Sequence, residues 1–137
     1  MSRTDDTTSV ARSESRKYLA KAQEFLATAG AAASDERWNS AALAAIHAGI
    51  SAADAAIVAS AGVRSSSKDH AAAVALLRRL VPESGATQER QLSGLLNMKN
   101  TVEYEQRLAV EAEARSLVQQ AGRLVRWAAS VVASHLD

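Results

Sequence analysis

Apolar positions along this chain recur three and four residues apart, the spacing of helices, with no sustained strand-like alternation. Tyr18, Ala22, Phe25, Leu26 and Ala29 share one helical face, and Gly30 reads as the stop of a first helix. Ser34 and Asp35 supply an N-cap for a long second helix running to about Ala61 and ended by Gly62. Along it Leu43, Ile46, Ile50, Ala53 and Ile57 form one apolar stripe, and Ala45, Ala48, Ala52, Ala55 and Ala59 form another. Two buried faces predict that this helix sits at the centre of a bundle.

A loop from Val63 to Ser67 leads into a third helix that buries Ala73, Leu76, Leu77 and Leu80 and stops before Pro82. A fourth helix begins near Thr87 and uses Leu92, Leu95 and Leu96. A fifth, from about Glu111 to the C-terminus, uses Leu117, Val118, Ala121, Leu124, Val125, Ala128, Val131 and Val132. No Gly or Pro marks a break around Leu108 to Val110, so four helices and five fit equally well. The pattern predicts an all-α antiparallel bundle of four to five helices, with residues 1–9 a flexible polar leader and 10–137 a single domain.

Composition sharpens this picture. Among 137 residues there are 31 Ala and 13 Leu, one Pro and only 4% aromatic residues, a mix that favours helix and excludes an all-β fold. Alanine buries little area, so the helices are expected to approach closely through small side chains. A net charge of +1 is far below the excess of a non-specific nucleic-acid binder, so any RNA contact must be local. The absence of cysteine excludes disulfides, a thiol nucleophile and thiolate zinc sites. His47, His70 and His135 have no metal-ligand spacing, and neither metal nor cofactor is expected. The N-terminus lacks an apolar signal core, and the uncharged run from Trp38 to Ala53 is shorter than a bilayer span, so a cytoplasmic setting without a membrane segment is expected.

Three groups of residues carry candidate chemistry. His47, Ser51 and Asp54 lie at i, i+4 and i+7 on the second helix, within about 60° of arc. A serine hydrolase needs an oxyanion hole, and mid-helix N–H groups are already used, so the simpler reading is a hydrogen-bonded polar seam between helices. In the fourth helix Lys99 falls where the apolar stripe should continue, and Asn97, Asn100 and Tyr104 share a neighbouring face. Pairing of Lys99 with Glu103 at i+4 is the plain structural account. Arg64, Lys68 and His70 flank the predicted start of the third helix as candidate phosphate contacts, although no P-loop pattern accompanies them.

Three stretches together resemble the HEPN family (higher eukaryotes and prokaryotes nucleotide-binding), in its small free-standing actinobacterial type. They are the run Ala45 to Gly49 holding His47 and continuing from Ser51 through Asp54, the pair Asp69 and His70 opening the third helix, and Leu95 through Tyr104 in the fourth. Many members are metal-independent endoribonucleases of toxin–antitoxin and defence systems. They act as dimers through an Arg, a following polar residue and a His five positions after the Arg. The resemblance sets Lys99, Asn100 and Tyr104 at those three positions, two of them chemically changed.

On a straight helix Lys99 and Tyr104 stand about 140° apart, which requires a bend or a second chain to bring them together. Metal-free RNA cleavage requires removal of the 2′-OH proton, stabilisation of an anionic phosphorane and protonation of the leaving oxygen. Lys99 supplies charge as a point rather than a fork, and a tyrosine is a poor proton shuttle at neutral pH. The resemblance therefore implies a HEPN-like homodimer that binds RNA or a nucleotide through a degenerate motif. An active ribonuclease using Lys99 and Tyr104, with His47 or His70 supplying an imidazole, is one alternative. A non-catalytic adaptor that pairs with a nucleotidyltransferase antitoxin is another.

Overall fold

The computed structural model describes residues 7–66, 69–105 and 107–136. Among them are five α-helices: α1 (Ser15–Ser34), α2 (Trp38–Ala61), α3 (His70–Leu80), α4 (Ala86–Tyr104) and α5 (Glu111–Leu136). The architecture is the all-α bundle expected from the periodicity. Both alanine-rich faces of α2 are buried, one residue in each short repeat being small enough for a neighbouring helix to approach. α1 and α5 pack against α2 and each other, while α4 covers another side of α2 and also meets α5. α3 is the outlying helix, resting on α4 and α2. Ile46, Ile57, Leu92, Leu95 and Leu124 are the large side chains that fill the space between the alanine seams.

Helix boundaries differ from the expected ones for specific reasons. Gly30 does not stop α1, which continues to Ser34. The turn comes instead at Glu36, a non-glycine residue with φ 58°, where Glu36 N–H donates to Ala33 O and Arg37 N–H to Ala32 O in a Schellman arrangement. Ser34 and Asp35 accordingly close α1 rather than cap α2, and α2 begins at Trp38 without a side-chain cap. Gly62 does end α2, in the left-handed conformation at φ 69°. Asp69 caps α3 by accepting from Ala71 N–H at 3.0 Å.

The question of four helices or five is resolved by side chains. α4 ends at Tyr104 and α5 starts at Glu111. Between them Arg107 forms a two-pronged ion pair with Glu113 at 3.0 and 3.1 Å, and Ala109 N–H donates to Asn39 Oδ1 at 2.6 Å, tying the link to the start of α2.

Residues 7–9, grouped by composition with the leader, are a short strand, β1 (Thr7–Ser9). It pairs antiparallel with β2 (Val63–Ser65), Thr8 standing opposite Arg64; residues 1–6 lie outside the described ones. Arg12, just beyond β1, donates to Ala59 O at 2.7 Å and so fastens this segment to the last turn of α2. By length and hydropathy α2 does reach the dimensions of a membrane span, contrary to the shorter run expected from its uncharged stretch. Most of that apolar surface is buried inside the bundle, as in a core helix.

Candidate functional site

A cleft of about 520 Å³ lies between α2, β2, the start of α3 and α4. That volume lies within the range of small-ligand sites. Ile50, Ala53 and Ile57 of α2, with Leu92 and Leu96 of α4, make an apolar floor. The polar wall combines Asp54 of α2, Arg64 and Ser65 of β2, Asp69 and His70 at the start of α3, and Lys99, Asn100 and Tyr104 of α4. Residues distant in sequence thus meet because α2 supplies the back wall, β2 follows it at once, and α4 crosses it. The pairing of β2 with β1 braces the strand that carries Arg64.

Lys99 and Tyr104 do converge within one chain, against the straight-helix expectation. The Lys99 ammonium stands 5.8 Å from the centre of the Tyr104 ring, because the four-carbon lysine stem spans the angle the backbone leaves. The same ammonium pairs with Glu103 at 2.7 Å, as the i+4 spacing suggests. The hydrogen bond from Lys99 to Glu103 outweighs partial burial and holds the lysine above its ordinary pKa, so it stays a cation across the neutral range. Asn100 and Tyr104 are exposed at the rim, Tyr104 to 71%.

The anticipated seam of His47, Ser51 and Asp54 is not formed. No hydrogen bond among the described residues joins these three, although they share an arc of α2. His47 turns to the α1 side, its ring centre 5.7 Å from that of Phe25, and Ser51 is buried between helices. Asp54 alone reaches the cleft. It is the one Asp, Glu, Lys or Arg in the 24 residues of α2, and among the described residues it makes no hydrogen bond or ion pair. Burial pushes its carboxyl up from 3.8 to about 6, although Arg64 and Lys21 pull it back down.

Of the three residues expected around a phosphate, Arg64 and His70 line the cleft, and Lys68 lies outside the described residues. Arg64 is exposed, its guanidinium 5.8 Å above the ring of Tyr18. The first turn of α3 already has Asp69 as its cap, which leaves the cation of Arg64 as the main anion contact at the mouth. Two features were missed by sequence reading. The floor residues were read only as core, since a cleft-lining Ile has the same spacing as a buried one. The Ser65 hydroxyl is buried without a hydrogen-bond partner among the described residues, and nothing in a serine-rich loop distinguishes it.

The site offers a cation at its mouth, a second cation shared with a carboxylate, an imidazole, and a carboxyl poised near neutrality above an apolar floor. Such a set suits a ligand that is anionic at one end and carries hydrogen-bond donors on a flat apolar body. No family model matches the chain, and no curated protein sequence matches it either.

Proposed function

We propose that this chain is a HEPN-like bundle that binds RNA or a nucleotide in the cleft between α2, α3 and α4, without efficient cleavage. The observation that carries the reading is the convergence of Lys99, Asn100 and Tyr104 with Arg64 and His70 on one wall of a ligand-sized cleft. Lys99 and Arg64 contribute charge for a phosphate, and the floor takes an apolar face. Because Glu103 neutralises part of the Lys99 charge, the lysine is suited to holding an anion more than to stabilising a phosphorane. In this reading the protein works as a cytoplasmic homodimer of a toxin–antitoxin or defence system. The exposed apolar side chains of Tyr104, Leu108 and Val110 at the α4–α5 corner support such pairing.

One observation favours the ribonuclease alternative: His70 lines the same cleft as Lys99 and Tyr104, so an imidazole is available there if Tyr104 stands where HEPN ribonucleases carry histidine. A single experiment separates the two. The purified chain is incubated in EDTA with a labelled single-stranded RNA, and binding and cleavage are followed together. Binding without cleavage is expected, weakened about tenfold by Lys99→Ala or Arg64→Ala with a shallower salt dependence, and strengthened by Glu103→Gln. Cleavage that vanishes in Lys99→Ala and His70→Ala transfers the assignment to a nuclease. RNA and mononucleotide binding indifferent to all these substitutions rejects the cleft as the site.

A further inference from the structure

We infer that the cleft selects guanine, with the Asp54 carboxylate reading the base edge and Arg64 holding the phosphate; this rests on the nucleotide-binding reading above. A charged side chain within an otherwise uncharged core helix, facing a cavity and making no hydrogen bond or ion pair among the described residues, leaves its hydrogen-bonding capacity to what enters the cavity, even though Arg64 and Lys21 act on its charge. A carboxylate only accepts hydrogen bonds, so its ligand must present donors. A simple organic cation would meet Arg64, Lys99 and His70 on the same wall, and a simple anion would meet Asp54. A nucleotide resolves the conflict by separating a phosphate from a donor-bearing base.

Among the bases, guanine alone offers two adjacent donors, N1–H and the 2-amino group, matched to the two oxygens of a carboxylate. Hypoxanthine keeps only N1–H. Adenine turns the N1 lone pair towards the carboxylate, and xanthine places a carbonyl oxygen where guanine has its amino group. Ile50, half-buried at the cleft floor, provides apolar surface for the face of a purine, backed by the buried Ile57, Leu92 and Leu96.

The experiment is calorimetric titration of the full chain with the 5′-monophosphates of guanosine, inosine, adenosine and xanthosine. The guanosine nucleotide is expected to bind about tenfold or more tightly than the inosine one, and tighter still than the other two. In Asp54→Asn the amide still accepts from N1–H but donates to the xanthine 2-carbonyl, so the order of guanosine and xanthosine nucleotides should invert. Arg64→Ala should weaken all four while keeping their order, and circular dichroism checks that each variant is folded.

The source of the guanine is distinguished by a single-stranded hexanucleotide carrying one guanosine or one inosine. Tight binding of the free guanosine nucleotide identifies a mononucleotide ligand, whereas guanine preference seen only in the hexanucleotide identifies RNA; either supports the inference. Equal affinities for the four nucleotides together with equal affinities for the guanosine and inosine hexanucleotides, or a base preference unchanged by Asp54→Asn, overturns guanine selection while leaving a nucleotide cleft standing. Absence of binding by every nucleotide and oligonucleotide overturns both.

Discussion

At the residue scale, Asp54 is where stability and the proposed site pull in opposite directions. Its carboxyl ionises near 3.8 in an unfolded chain and at about 6 in the folded one, mainly because burial disfavours the charge. Below both values the group is neutral in either state and costs nothing. As the pH rises from 4 through 6 the unfolded chain releases the proton first, so the native state is progressively penalised, reaching about 3 kcal/mol near pH 7. The charged and titratable neighbours facing it are Lys21 of α1, Arg64 of β2, Asp69 and His70 at the start of α3, and Lys99 of α4. Comparison of Asp54→Asn with the parent chain cancels most of their contribution. Urea unfolding is expected to show the variant more stable by about 1–3 kcal/mol at pH 7.5, with the gain fading towards pH 4. A gain independent of pH would mean that Asp54 is not ionised against a burial cost.

At the scale of elements, two glycines inside helices have opposite environments. A methyl group added at Gly30 in α1 would meet nothing within 4 Å, whereas one at Gly49 in α2 would collide with the buried side chain of Leu95. Both substitutions gain helix propensity worth about 1 kcal/mol. Gly30→Ala should therefore raise stability by about that amount in thermal unfolding. Gly49→Ala sets the same gain against overpacking of about 1–3 kcal/mol and should be neutral to destabilising. These positions also explain what the sequence made legible. Periodicity found the five α-helical segments, though not the short 3-10 turn at Arg12–Glu14, because alternation between apolar and polar faces is a property of a whole long element. It misjudged the end of α1, because a glycine stood inside the helix and the left-handed turn fell to Glu36. It left the α4–α5 break open, since that break is held by Arg107, Glu113 and Asn39 rather than by Gly or Pro. It overlooked β1 and β2, whose three residues are too few to alternate. For the site, spacing grouped Asp54 with His47 because both lie on one arc of α2. Which partner helix each would face depended on packing that spacing does not encode.

At the scale of the molecule, the helices are not equally secured. α2 buries fifteen of its residues, whereas α3 buries only Leu76 and Leu77. An ion pair from Arg78 to Glu89 at 2.9 Å joins α3 to α4, but it is exposed and adds little. The core of α1, α2 and α5 should therefore unfold as one unit, with α3 opening separately at a lower free energy. Hydrogen exchange is expected to be fastest along α3 and slowest in the middle of α2. The cleft lies along this boundary, so its ligand binds where the structure is least committed. A ligand seated against Asp54 and His70 must join α3 to α2 and can bind only when α3 is docked. Its binding free energy is then added to the docking equilibrium, and amides in the first turns of α3 should slow as ligand concentration rises, while those of α1 stay unchanged. If exchange instead slowed equally in every helix, α3 would belong to the global unfolding unit and the cleft would be a fixed feature of the core.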